Sequence, residues 1–422
     1  MKSFEKIIGY ESIKEELYQI IDMFKNKNLY ESMGAKLSKG ILIYGDPGLG
    51  KTMLAEALIK ECNVKTFIIK NNMDQISFIN EINNAFIEAS KLERAIIFFD
   101  DLDKFSESNG ENVDDKIFAN IQTNIDSVKD KDILIVATLN DINKLPKSLK
   151  RSGRFDKRIL VETPSNNDAA KIIEFYLKSK NVSKNLNFTD ITKMISYKSC
   201  ADLEKILNES AIYATFVRKE AIERDDIAKA YCTDYYNLPF SDFKCSSETF
   251  YATCMHEAGH AVIAEALKKG SVGFMYVGSS SNGAAQGFTK LCENFLRRPE
   301  HILIGLGGKT SVELFLQGRC ASNCSSDLDK VIRLVKGGIS ANATSGIGLI
   351  GIAPSDSESL KMRTEAVVQA EIEKYMFQVK DILLNNKEFV LKLADALNEK
   401  KFLFYSDIAE IRKSVQIKEA KI

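Results

Sequence analysis

An octapeptide, Gly45-Asp46-Pro47-Gly48-Leu49-Gly50-Lys51-Thr52, lies between an apolar run at 41–45 (ILIYG) and a segment of helical spacing at 51–62. It fits G-x-x-x-x-G-K-[ST], and no other feature restricts the fold so tightly. The glycines let backbone N–H groups wrap around phosphate oxygens, and the start of the helix adds its partial positive charge. The backbone from Asp46 through Pro47, Gly48, Leu49 and Gly50 would form the cradle. Lys51 would reach the β- and γ-phosphates of ATP, and the Thr52 hydroxyl would ligate Mg²⁺.

The surrounding pattern agrees with such a loop. Apolar runs at 66–70, 95–100 and 133–138 alternate with helical stretches near 78–92 and 114–128. Alternation of this kind predicts a parallel sheet with helices on both faces. The 422 residues suffice for two to four domains at roughly 100–200 residues each. We expect an α/β domain over 1–164 and a helical lid over 165–238, with Ser165 as a helix N-cap. A third, mainly helical domain over 239–422 would contain Gly/Ser-rich irregular stretches at 270–289 and 337–358. Pro164 and Pro239 fall at the two boundaries.

Charge and cysteine content bound the partners. The 58 basic residues balance 58 acidic ones, which argues against a chain that mainly coats nucleic acid or anionic lipid. Eight scattered cysteines predict free thiols in a reducing cytoplasm. The N-terminus reads as a charged amphipathic helix rather than a signal peptide. No apolar run approaches the ~20 residues that span a bilayer. The expectation is a soluble cytoplasmic chain with no membrane span and no nucleic-acid partner.

A second apolar run ends in Asp100-Asp101. Acidic residues at that end of a buried strand hold Mg²⁺ and orient the attacking water in nucleotide hydrolases. Asp100 would be the Mg²⁺ carboxylate and Asp101 the water-activating acid. A third run leads to Asn140, followed by Arg151-Ser152-Gly153-Arg154-Phe155-Asp156. The order GDPGLGKT, IIFFDD, ATLN, RSGRFD resembles the AAA+ ATPases. That resemblance implies Asn140 as a polar sensor of the γ-phosphate, and Arg151 and Arg154 as arginine fingers acting on a neighbouring subunit's nucleotide. It therefore implies a homo-oligomeric ring, usually a hexamer. Ile8 and Gly9 would border the adenine, and the segment from Tyr197 to Leu203 resembles the start of the lid helix, with Cys200 where the family usually has glycine.

The chain has only three histidines, and two of them fall in His256-Glu257-Ala258-Gly259-His260. On a helix expected over 256–268, positions i and i+4 share a face, so both imidazoles can bind one Zn²⁺ with Glu257 beside it as general base. Residues 307–315 (GGKTSVELF) and then Ser325-Ser326-Asp327-Leu328 follow. This order resembles the FtsH family of ATP-dependent zinc proteases, and the resemblance implies Asp327 as third zinc ligand. An alternative is Asp327 as N-cap of a helix at 327–336. Cys320 and Cys324 form a second conceivable metal pair. Val272–Val277 and the following GAAQGFT loop resemble the family's strand near zinc, which would bind an extended protein substrate by edge pairing.

The resemblance implies a P-loop AAA+ α/β domain with helical lid, followed by a mainly helical zinc metalloprotease domain that degrades unfolded or ATP-unfolded proteins. Three departures stand out. The family normally carries N-terminal membrane spans, whereas this sequence opens at the ATPase domain. Its acidic pair is Asp-Asp rather than Asp-Glu. The segment after TFIIK lacks the aromatic-Val-Gly pore loop, leaving Phe78 or Met73 as substitutes, with Phe78 better read as core. Two rivals follow: a zinc peptidase whose ATPase only gates or assembles the ring, and a non-proteolytic AAA+ remodelling protein.

Overall fold

The computed structural model describes residues 2–36, 38–70, 75–106, 111–238, 246–279, 284–293, 295, 297–317, 325–340 and 358–420. Met73, Pro239, Gly283, Cys320 and Cys324 lie outside these. The chain divides into two compact units: residues 1–179 with 197–205, and residues 180–196 with 206–422. The 165–238 segment is thus shared between them.

The first unit is built on a parallel sheet of β1 (Gly40–Tyr44), β2 (Lys65–Ile69), β3 (Arg94–Phe99), β4 (Asp132–Leu139) and β5 (Phe155–Leu160), ordered β2-β3-β4-β1-β5. Its helices are α1 (Glu11–Lys25), α2 (Lys27–Ser32), α3 (Lys51–Cys62), α4 (Gln75–Ser90), α5 (Glu111–Ser127) and α6 (Asn166–Lys178). β3 and β4 are buried along nearly their whole length, which explains why they read as unbroken apolar runs. Two separate apolar cores form, one around Leu42, Ile97 and Ile135 and the other around Ile43, Phe98 and Val136. Alternate residues of each strand supply the two cores. Because β4 lies between β3 and β1, the segments leaving all three strands converge at one sheet edge. Phe78 is 1% exposed and belongs to the first core. It is a packing residue, as the helical spacing suggested, and does not substitute for a pore aromatic.

α7 (Phe188–Ile195), α8 (Cys200–Phe216) and α9 (Arg224–Ala230) follow. In the second unit, α7 is tied down by fully buried Asp190, which accepts the Ser406 N–H and hydroxyl at 2.8 and 2.6 Å. The unit's main elements are α10 (Ser247–Leu267), β6 (Val272–Ser279), β7 (Ala285–Leu291), α11 (Arg298–Phe315), α12 (Ser325–Ser340), α13 (Glu358–Asn385), α14 (Lys387–Lys400), β8 (Phe402–Phe404) and α15 (Tyr405–Lys413).

Three expectations are corrected here. The helix expected at 256–268 begins nine residues earlier, at Ser247 (256 − 247 = 9), because the Ser246 hydroxyl caps it by accepting the Thr249 N–H at 3.2 Å. The 270–289 stretch, expected to be irregular, is largely the antiparallel pair β6–β7. Within the order β7-β6-β8, β6 is the central strand, so Val272–Val277 offers no edge to a substrate. The three-residue β8, from far along the chain, covers its other side. Among the described residues, β7 and the short β8 are the outer strands.

α10 crosses α11 where Gly259 meets Gly307. A Cβ on Gly259 would run into the Gly307 carbonyl oxygen and lie 2.8 Å from its carbon. Ser311 fastens the crossing by donating its hydroxyl to Met255 O at 2.7 Å. Alanine is the better helix former by about 1 kcal/mol, yet here two backbones would have to separate, and overpacking costs ~1–3 kcal/mol. Gly259→Ala is therefore expected to lower the thermal midpoint by several degrees. A midpoint that rises would show that the crossing is not close-packed.

Candidate functional sites

The phosphate loop joins β1 to α3, with Gly48 and Gly50 at φ 77° and 84°. These left-handed conformations, which glycine adopts without strain, turn successive N–H groups to one side. Lys51 is buried and donates to Asn140 Oδ1 and Asp46 O, both at 2.8 Å. Burial holds its ammonium below the usual value, against the pull of Asp101, Asp103 and Asp46. The Thr52 hydroxyl donates to Asp100 Oδ1 at 2.9 Å. Loop, Lys51, Thr52, Asp100 and Asn140 thus meet as the motifs suggested.

Thr138 and Asp103 complete this cluster, and the motifs pointed to neither. The Thr138 hydroxyl donates to Asp100 Oδ1 and accepts the Asp101 N–H, each at 2.9 Å. Asp103 is 2% exposed and accepts the Asn140 N–H at 3.1 Å. Asp101 itself sits at φ 55°, a left-handed conformation that a non-glycine residue holds only against strain. Its carboxylate is paired with Lys104 at 2.6 Å. Gly9, at φ 76°, lies against Asp168, and the Ala201 N–H donates to Gly48 O at 3.0 Å, bringing the start of α8 onto the loop. Cys200 Sγ lies 3.5 Å from the Tyr10 hydroxyl, and burial pushes the thiol's pKa up.

The two arginines are not equivalent. Arg154 forms a two-pronged pair with Asp126 (3.0 and 2.8 Å) and donates to Ser148 O at 2.6 Å. Arg151 is exposed and makes no ion pair among the described residues.

In the second unit, His256, Glu257 and His260 lie in the middle of α10, and all three are buried. His256 Nε2 and His260 Nε2 are 3.0 Å apart, and Asp327 Oδ2 is 3.2 and 3.3 Å from them. A tetrahedral zinc with bonds near 2.0–2.1 Å separates its donors by about 3.3 Å, so this donor set fits that ion. A carbonyl can only accept, so His260 Nδ1–H donates to Ile304 O at 2.6 Å and leaves Nε2 as the lone-pair donor. Asp327 lies inside the first turn of α12, which begins at Ser325, and is therefore not its cap. Burial would raise the Asp327 carboxyl, but the His256 and His260 contacts outweigh it and hold it well below the usual range. Burial likewise pulls His260 down, while Asp327 and Glu257 bring it to a net rise.

Small residues make room for the imidazoles. A Cβ on Gly308 would lie 2.5 Å from His260 Nε2 and 2.6 Å from His256 Nε2. The Gly307-Gly308 pair thus serves the helix crossing and the ring pocket in turn. Glu257 Oε2 accepts the Thr289 hydroxyl from β7 at 2.8 Å. This contact was not visible in the sequence, since the partners lie 32 residues apart. These groups line a cavity of about 770 Å³. His301 reaches the same cavity but bonds Phe295 O at 2.8 Å and lies outside the ligand cluster.

Residues 41–163 match the family model described as "ATPase family associated with various cellular activities (AAA)". The protein named ATP-dependent zinc metalloprotease FtsH of Helicobacter felis is 26% identical over 97% of this chain and 69% of its own length. Proteins of the same name are 28% identical over 82% of the chain in Helicobacter pylori J99 and 26% over 99% in Mycoplasmoides gallisepticum. The chain spans 57% and 59% of the length of these two. No helix among the described residues is long and apolar enough to cross a membrane.

A ligand assignment to His256, His260 and Asp327 predicts unequal effects on zinc content. Asp327→Ala should weaken zinc retention at least about 100-fold in chelator competition, because removing a direct ligand should exceed the 10–100-fold losses typical of removing a ligand's hydrogen-bond partner. His301→Ala should keep stoichiometric zinc. Equal retention by all variants would overturn the assignment.

Proposed function

We propose that this FtsH-like AAA+ chain is an ATP-dependent zinc metalloendopeptidase, working as a ring on unfolded or ATP-unfolded proteins. The observation that carries the reading is the convergence of His256, His260 and Asp327 beside Glu257, in a chain that also assembles a complete phosphate-binding loop. Zinc, held by those three residues, would supply the charge that polarises a peptide carbonyl and acidifies a water. Glu257 takes the water's proton and returns it to the leaving amine. The Thr289 hydroxyl orients the Glu257 carboxylate for both transfers.

At the nucleotide site, the 46–50 backbone and Lys51 bind the phosphates of ATP. Thr52 and Asp100 hold Mg²⁺, Asp101 orients the attacking water, and Asn140 lies beside the γ-phosphate. Ile8 and Gly9 border the adenine. Arg151 and Arg154 act on the neighbouring subunit's nucleotide in a ring, taken here as a hexamer. The exposure of Arg151 suits it to reach across, whereas Arg154 is held by Asp126 and first has to leave that pair. The division into ATPase, lid and protease parts at 164 and 238 describes these roles.

A second reading, in which ATP only gates or assembles the ring, is favoured by one pair of observations. Phe78 is buried, and Asp101 is paired with Lys104. Degradation of a folded substrate with and without ATP separates the two readings. Threading predicts a strict ATP requirement, and ATP-independent degradation would leave gating alone.

Glu257→Gln should reduce cleavage of unfolded casein by about 10²–10⁴-fold, the range for loss of a general base, while zinc stays bound. Wild-type protein that binds zinc and leaves casein intact would overturn the peptidase reading. Arg151→Ala should cut ATP turnover by ~10³-fold or more without lowering the melting point. Arg154→Ala should lower both, and a normal melting point there would argue against the Asp126 pair as a structural tie.

A further inference from the structure

β7 presents two different faces. Thr289 bonds Glu257, and a Cβ on Gly287 would lie 2.9 Å from Glu257 Cγ, so these residues face the metal-binding helix. Phe288, between them, points to the opposite face of the sheet, as strand alternation requires. There its ring stacks on Tyr236 at 4.4 Å and 27°. Phe288 is half-buried and Tyr236 exposed, and both reach the cavity that holds Glu257.

The stack is firmly backed. Tyr231 is fully buried and meets Tyr236 edge-on at 5.2 Å, with the two hydroxyls 3.3 Å apart. Tyr231 also lies 6.0 Å from Phe288 and 6.2 Å from Phe274. It opens a single π-helical turn, Tyr231–Tyr235. Such turns widen a helix by one residue per turn and recur at functional sites. Here the turn brings Tyr231 and Tyr236, five positions apart, onto one ring cluster.

We infer that Tyr236 and Phe288 are specificity-determining residues, forming a platform for an aromatic or large apolar side chain of the substrate. The inference rests on the peptidase reading. A substrate segment added along β7, the longer of the two outer strands, has side chains that alternate between the two faces. Residues on one face lie towards Glu257. Those alternating with them lie over the Tyr236–Phe288 stack, where a third ring stacks or packs edge-on and a polar side chain has no partner ring to meet. The preferred substrates are extended segments with aromatic or large apolar residues at every second position.

Two fluorescein-labelled ten-residue peptides test this, one with Phe at alternate positions and one with Ala there. Full-length zinc-loaded protein carrying Glu257→Gln binds them without cleavage, and anisotropy gives the affinities. The Phe peptide should bind roughly three- to tenfold more tightly, the range for one aromatic pair. Tyr236→Ala should abolish the difference, Phe288→Leu should reduce it, and Tyr236→Phe should keep it. A preference that survives Tyr236→Ala in folded protein, or equal binding of both peptides, overturns the inference. If wild-type protein still cleaves casein in that event, the peptidase reading stands and only the platform falls. If neither peptide binds and casein is intact, both fall together.

Discussion

Two imidazoles and a carboxylate with donor atoms 3.0–3.3 Å apart form the constraint on which the second unit depends. Polar groups packed this closely and largely shielded from water are costly unless each finds a partner. The surrounding helices are arranged around that requirement. Their close approach at Gly259 and Gly307 brings α11 near enough for Ile304 O to receive the His260 Nδ1 proton. Gly308 then leaves the space that the two rings occupy. The α12 turn delivers Asp327 to the remaining side, and its other oxygen lies 3.7 Å from Lys330. A cation bound between the donors would complete the compensation.

The nucleotide site shows the same economy with smaller parts. One hydroxyl, that of Thr138, donates to Asp100 and accepts from the Asp101 backbone. It therefore fixes the angle between two adjacent carboxylates that the sequence presents only as Asp-Asp. The left-handed turn at Asp101 directs consecutive side chains to different partners, Asp100 towards Thr52 and Asp101 towards Lys104. The Asp100-Asp101 pair thus has a local geometry of its own. The carboxylate's pairing with exposed Lys104 is a weak surface contact, which a nucleotide and its Mg²⁺ can displace at little cost.

Much of this was legible from residues alone, for physical reasons that differ by region. The parallel strands are buried on both faces, so β3 and β4 read as continuous apolar runs and the phosphate loop between β1 and α3 anchored the assignment. The juxtaposition of His256 and His260 was legible because helical i, i+4 spacing is local. Long-range partners were not. β8 joins β6 from more than a hundred residues away and makes it a central strand, which no local pattern in Val272–Val277 announces. Thr289 and Thr138 resemble ordinary strand residues until the fold brings Glu257 and Asp100 against them. The early start of α10 did leave a signal, a serine cap followed by Glu248 in the first turn.

β7 gathers these threads in three consecutive residues. Gly287 lets the strand approach Glu257 without a side chain between them, and Thr289 then grips the carboxylate. A larger residue at 287 would push the strand outward and lengthen the Thr289 contact. Phe288 faces the other way and packs against Tyr236 and Tyr231, which holds the strand in place. Register follows from the same alternation, because a slip of one residue would turn Phe288 towards Glu257 and Thr289 towards the rings. Orientation of the Glu257 carboxylate on one face and aromatic packing on the other are therefore one geometric decision, made by the pleat of a single outer strand.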